Sequence, residues 1–179
     1  MAELAAGVIF WWVGHLWGRL APRARLRAGA AARGISAAII ALGLVLMILG
    51  YRSAESVLLW QPPVWGQHVN NGLMLLAMIA LALAHSRGAV AARLAHPMLL
   101  ATMLWSLAHL LVRGDGAALV LFGGIGLWAV VERVLLRGRG ITARGGMRRD
   151  AIGFVVGLIL YGIVGYVHGI VGPTPFPGG

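Results

Sequence analysis

The six histidines are the residues of this sequence with the widest scope for chemistry, because neutral imidazole is a common metal ligand. Two of them, His15 and His109, lie inside long apolar stretches. Ionisable residues within a membrane are functional candidates, and two histidines on facing helices can hold a haem iron from both sides. The alternative for each is a histidine that only packs between helices and is hydrogen-bonded to them.

His109 belongs to an apolar stretch that begins at the pair His96–Pro97 and ends before Gly114. Proline is favoured in the first turn of a helix, so the pattern predicts a helix over 97–113, about 25 Å long at 1.5 Å per residue. Polar residues in hydrocarbon are costly unless they meet a partner. The polar face of this helix is therefore expected to point into the protein or onto a ligand, and it consists of Thr102, Ser106, His109 and Arg113.

The composition indicates an integral membrane protein. Of the 179 residues, 60% are hydrophobic and only 11% charged, and the mean hydropathy is +0.86. A soluble domain needs far more polar surface. We expect a single all-α domain over 1–179, a bundle of about six transmembrane helices with a disordered tail at 172–179. The predicted spans are Leu4–Leu20, Ile35–Tyr51, Val69–His85, Pro97–Arg113, Ala117–Leu136 and Ala151–Val171.

The charge pattern predicts the orientation of these spans. The formal net charge is +10, and eleven of the fifteen arginines fall in the first, third and fifth loops, with Arg19 at the border of the first. The positive-inside rule puts those loops in the cytoplasm and both termini on the other side. The arginines lie in short loops between spans, so this basic chain is not expected to bind nucleic acid. Without cysteine it has no disulfides and no thiolate metal site.

The cytoplasmic ends of the spans carry two further candidates. His96 is either an ordinary helix-entry residue or, because it lies in a basic loop, a group that contacts an anionic headgroup or ligand. Glu132 is the one carboxylate within the spans, too little for a zinc or di-iron site. With Arg133 it is interpreted as an interfacial pair whose side chains reach toward water.

Several blocks in the same order resemble the NnrU family of bacterial membrane proteins along nearly the whole chain. They are GHLW at His15, GYRSAESVLLWQPPVWGQH, AHPMLLATMLWSLAHLLVRGD, LFGGIGLWAVVERV and RRDAIGFVVGLILYGIV. The resemblance implies a multi-pass protein of the bacterial inner membrane, linked to nitrite and nitric oxide metabolism in denitrification.

The family is related to the plant 15-cis-zeta-carotene isomerase, a haem b membrane enzyme. That relationship implies haem b as a cofactor, with His15 and His109 as its iron ligands. Ser106 stands where the isomerase has a cysteine proposed as an alternative ligand, and Trp105 is a candidate neighbour of the haem. Ala95 and Arg113 stand where the family usually has arginine and asparagine.

Three functions remain open at this point. The first is a haem b protein that performs redox chemistry or isomerisation on a lipid-soluble substrate. The second is a methyltransferase-like membrane enzyme. Isoprenylcysteine and phospholipid methyltransferases begin a helix with Arg-His-Pro and carry an acidic residue near the end of a later helix. His96–Pro97 and Glu132 resemble that arrangement. The third is a non-enzymatic accessory protein for a respiratory reductase. The lipid bilayer is the expected surrounding in every case.

Overall fold

The computed structural model describes residues 1–137, 139–140, 142–143 and 145–176. Arg144 of the fifth loop and the last three residues of the predicted tail lie outside the described residues. Within these ranges the chain is helical and forms no β-strand. We label the helices α1 Ala2–Leu20, α2 Pro22–Ala28, α3 Ala32–Arg52, α4 Gly66–Ser86, α5 Ala89–Arg93, α6 Pro97–Val112, α7 Gly116–Leu135 and α8 Met147–Val171.

The all-α fold is confirmed, and each predicted span corresponds to a helix whose ends differ by a few residues. In the described chain, four helical segments are long and apolar enough to cross a membrane: Pro22–Arg52, Gly66–Ser86, Gly116–Leu135 and Met147–Val171. Helix α6 is apolar but has only 16 residues. The two predicted spans outside this set, α1 and α6, are those that carry His15 and His109.

The chain divides into two compact units, and each is described by itself. The first unit comprises residues 1–61 and 114–128, and the second comprises residues 62–113 and the chain from 129 onward. Helix α7 therefore contributes its first part to one unit and its last part to the other.

In the first unit, α1 and α3 pack with their backbones in direct contact. Gly7 and Gly14 of α1 and Gly43 and Gly50 of α3 are all buried. A Cβ atom added at Gly7 would lie 2.6 Å from the Met47 nitrogen and 2.8 Å from the Gly43 oxygen. Small residues at such positions let membrane helices approach closely and gain dispersion energy over a long contact.

The second loop of the first unit is fastened to the start of α7. The Leu59 and Trp60 N–H groups donate to the Gly114 carbonyl at 2.7 and 3.1 Å. The Asp115 carboxylate caps the helix by accepting from the Ala118 N–H at 2.9 Å. This loop therefore satisfies backbone groups that would otherwise be unpaired at the helix entry.

In the second unit, α8 packs on α4 through glycines. A Cβ atom added at Gly157 would lie 2.6 Å from the Ile79 Cα, and one added at Gly153 would lie 3.1 Å from the Ser86 Cβ. The other faces of α8 present large apolar side chains to the outside, among them Ile152, Phe154, Val155, Ile159 and Ile163. An exposed apolar surface of this extent is typical of a helix that faces lipid.

The third loop is held to the start of α8 by a buried carboxylate that the sequence reading did not single out. Asp150 is 8% exposed, and its Oδ2 accepts from the Val90 N–H at 3.0 Å, close to the first turn of α5. Gly88 leaves room for this carboxylate, because an added Cβ would collide with its oxygens.

The α1–α3 contact gives a direct test of the packing. We expect Gly7→Ala to lower the free energy of unfolding by about 1–3 kcal/mol, because the backbone of α3 cannot yield to the added methyl group. Gly72→Ala is the matched control, since an added Cβ there meets nothing within 4 Å and alanine has the higher helix propensity. Thermal unfolding in detergent measures both. Equal melting temperatures for the two variants would contradict the close helix contact.

Candidate functional site

His15 lies between two tryptophan rings in the first unit. Its ring centroid is 4.4 Å from that of Trp11, one turn earlier on α1, and 4.5 Å from that of Trp128 on α7. The two indoles meet edge to face at 5.4 Å. Sequence reasoning did not single out Trp128.

A local change in helix geometry accompanies this cluster. Residues Leu119–Gly123 of α7 are π-helical, and the Trp12 Nε1–H donates to the Gly124 carbonyl at 3.0 Å. A π-helical segment shifts the register of the residues that follow it, and such segments occur frequently at functional sites. The glycine-rich sequence of α7 allows α1 to approach here, since an added Cβ at Gly124 would lie 2.8 Å from the side chain of Val8.

The hydrogen bond of His15 fixes its tautomer. The Nδ1 atom lies 2.9 Å from the Trp11 carbonyl oxygen, and a carbonyl can only accept, so Nδ1–H is the donor. In the neutral ring Nε2 then carries the lone pair. Metal-binding histidines usually show this arrangement, in which the second ring nitrogen is held by a carbonyl or carboxylate.

Two buried donors beside His15 have no hydrogen-bond partner. These are the Nε1–H groups of Trp11 and Trp128, the latter residue being only 6% exposed. An unsatisfied buried donor costs about 1–3 kcal/mol, so two next to one imidazole are unusual. The cluster therefore offers a lone pair and two N–H donors to an additional group.

His109 in the second unit has the same local arrangement. Its Nδ1–H donates to the Trp105 carbonyl at 2.9 Å, and the two ring centroids are 5.1 Å apart. Both histidines thus follow a tryptophan by four residues, and each packs on that indole while bonded to its backbone. The hydrogen bond from Nδ1 to the preceding turn does not by itself indicate a site, because the exposed His85 forms the same bond to the Leu81 carbonyl at 3.0 Å.

The polar face predicted for α6 is only partly enclosed. Ser106 is 4% exposed, whereas the Thr102 hydroxyl donates to the Met98 carbonyl of its own helix at 3.1 Å. A threonine satisfied within its helix needs no partner elsewhere. Of this face, Ser106 and His109 are therefore the residues with a protein environment suited to a site.

The second unit brings His168 to His109, a pairing that sequence reasoning did not propose. The ring centroids are 6.5 Å apart, and the His168 Nδ1–H donates to the Pro173 carbonyl at 2.8 Å. The adjacent segment is also held, since Gln67 and Asn71 donate to the Pro175 carbonyl at 2.6 and 2.9 Å. The signal in the sequence was the position of His168 in the last predicted span, because the predicted topology puts it in the same half of the membrane as His109.

The two candidates predicted at the cytoplasmic ends of the spans lie in the second unit. His96 precedes α6, and its Nε2–H donates to the Leu136 carbonyl at 3.2 Å. Glu132 is 7% exposed, so its interpretation as an interfacial side chain that reaches toward water is wrong. The Arg133 guanidinium donates to the Leu94 carbonyl at 3.5 Å instead of extending away from the protein.

The described residues contain no cluster of three or more His, Asp or Glu side chains that could hold a metal ion. A haem iron would need at most two protein ligands. His15 and His109 belong to different units, and their assignment to one iron stays a prediction from the sequence.

These features define the class as a polytopic α-helical membrane protein with tryptophan-packed histidines in two of its helices. The model of the NnrU protein family matches residues 3–175, and the chain belongs to that family. Neither the search of curated proteins nor that of solved structures found a match.

The tautomers of His15 and His109 can be measured directly. We expect nitrogen NMR of the protein labelled with ¹⁵N-histidine to show both rings with the proton on Nδ1 at a pH where imidazole is neutral, because each Nδ1 donates to a carbonyl. Signals are assigned by His15→Gln and His109→Gln. A proton on Nε2 in either ring would contradict the arrangement.

Proposed function

We propose that this NnrU-family protein binds haem b in the bacterial inner membrane, with His15 and His109 as the iron ligands. The observation that carries the proposal is the cluster around His15, where a lone-pair nitrogen and two unsatisfied indole N–H groups lie side by side. His109 adds the same tryptophan–histidine arrangement in the second unit.

The residues present fit this cofactor. The Nδ1–H bond to a carbonyl orients each imidazole and raises its basicity as a ligand. The flat tryptophan rings give an apolar surface of the kind that a porphyrin face requires, and an unsatisfied indole N–H can donate to a carboxylate such as a haem propionate. When bound, the haem would supply one-electron chemistry.

The proposal includes a membrane topology. Helices α1, α3, α4, α6, α7 and α8 are the six spans, with both termini on the non-cytoplasmic side. Helix α6 is short for a span, but its 16 residues measure about 24 Å, which a thin or locally thinned bilayer accommodates. The excess of arginine in alternate loops supports the orientation.

The reaction proposed for this site is redox chemistry or isomerisation of a lipid-soluble substrate, linked to nitrite and nitric oxide metabolism. A site within the membrane is reached most directly from the bilayer, which favours a lipid-soluble partner. In the alternative accessory role, the protein supports a respiratory reductase. The same site would then bind haem, but the protein would catalyse no reaction itself.

Absorption spectra of the detergent-purified protein, oxidised and then reduced with dithionite, test the proposal. We expect the sharp, split reduced bands of six-coordinate haem b in the unaltered protein. His15→Ala and His109→Ala should each abolish them, because each variant removes one of the two residues that would hold the iron. His85→Ala is the matched control, since this exposed histidine makes the same backbone bond.

His168→Ala decides between two ligand pairs. The proposal predicts six-coordinate bands in this variant, as in the unaltered protein. If His168→Ala abolishes them while His15→Ala does not, the pair is His109 with His168 and the assignment of His15 is wrong. A protein that stays colourless after haem is added would overturn haem binding altogether.

A further inference from the structure

A basic cavity of about 480 Å³ lies in the second unit where α6 begins and α7 ends. Its volume is within the range of small-molecule sites in proteins. The polar part of its lining comes from one imidazole and three guanidinium groups, and small and aliphatic residues complete the wall. The principal lining residues are Ala95, His96, Arg133, Arg137, Arg139 and Gly140.

The cavity concentrates positive charge without a carboxylate of its own. None of the described lining residues is acidic. Three guanidinium groups around one space repel one another, and an anion placed among them relieves that repulsion. Arginine is suited to phosphate in particular, because its planar fork donates two parallel hydrogen bonds to phosphate oxygens.

Hydrogen bonds hold the inner part of the cavity in place. The His96 Nε2–H donates to the Leu136 carbonyl, which ties the start of α6 to the end of α7. The Arg133 guanidinium donates to the Leu94 carbonyl. Arg137 and Arg139 lie further out and are exposed, so they can reorient toward a bound group.

The backbone at the cavity is strained. Ala95 has φ of +61°, a left-handed conformation that residues other than glycine rarely adopt. Its Cβ lies 3.5 Å from the position that a Cβ at Gly140 would take, so the fifth loop lies close to the chain just before α6. Strained backbone of this kind is found mostly at functional sites.

The position of the cavity indicates the source of the anion. It lies at the end of Gly116–Leu135, one of the helices able to cross a membrane, and the arginine-rich fifth loop forms part of its wall. Phospholipid headgroups occur at this depth, and basic pockets at the cytoplasmic ends of spans bind anionic lipids. We infer that the cavity binds the phosphate of an anionic phospholipid headgroup.

Lipid-dependent thermal stability tests this site. The protein is unfolded in a nonionic detergent with added phosphatidylglycerol, phosphatidylcholine or inorganic phosphate at one ionic strength. We expect phosphatidylglycerol alone to raise the melting temperature, because a ligand that binds only the folded state stabilises it. Arg137→Gln with Arg139→Gln should weaken the apparent affinity by roughly tenfold or more, since charge-assisted hydrogen bonds to phosphate are lost.

The matched control is Arg23→Gln with Arg27→Gln, which removes the same charge from exposed positions of the first basic loop. This pair should keep the full response to phosphatidylglycerol. Equal losses of affinity for phosphatidylglycerol in the two double variants would mean that the lipid is attracted to surface charge in general, and would overturn the site. An equal response to inorganic phosphate would overturn the lipid assignment in favour of a soluble phosphate.

A third pair, Arg137→Lys with Arg139→Lys, covers the case in which the glutamine variants do not fold. It keeps the charge and removes the paired donors, so an intermediate affinity is expected. An affinity equal to that of the unaltered protein in this pair would contradict phosphate recognition by the guanidinium forks. The haem content of all these arginine variants should equal that of the unaltered protein, so a failure of lipid binding is distinguishable from a failure of the haem proposal.

Discussion

Hydrocarbon offers no hydrogen bonds, and this constraint governs every polar side chain within the spans. Each such group must bond to its own chain or carry an energetic penalty. His15 and His109 meet the requirement by donating from Nδ1 to the carbonyl four residues earlier on the same helix. This bond satisfies one ring nitrogen and leaves the other with a lone pair, which is the form of imidazole that can bind a metal.

Glycine packing makes the rest of the structure possible. Helices α1 and α3 approach each other backbone to backbone, and α8 contacts α4 through Gly153 and Gly157, so the long helices pack through close contacts at small residues. Most of the surface of α8 is then free to face lipid. Helices α1 and α6 carry His15 and His109, polar residues that hydrocarbon would accept only with a hydrogen-bond partner.

The helices were predictable because span length and apolar composition follow directly from the thickness of a bilayer. The short helices α2 and α5 were not, since their arginine-rich or alanine-rich sequences lack an apolar periodicity. Burial of Glu132 was also missed, because sequence proximity to Arg133 suggested an interfacial pair and only tertiary packing reveals an enclosed carboxylate.

The two histidines of the candidate site were predictable from the sequence, whereas the residues that surround them were not. Both histidines stand out as ionisable residues in apolar stretches, and the shared spacing after tryptophan is visible in the sequence. The neighbours Trp128 and His168 come from distant helices, so no local pattern identifies them. The strained backbone at Ala95 likewise depends on the path of the fifth loop.

Pulsed electron paramagnetic resonance of the oxidised protein, labelled with ¹⁵N-histidine, tests the central claim most directly. The account predicts a low-spin ferric haem whose iron couples to two histidine nitrogens, with one coupling lost in His15→Ala and the other in His109→Ala. A high-spin signal, or coupling to a single histidine nitrogen in the unaltered protein, would contradict ligation by this pair.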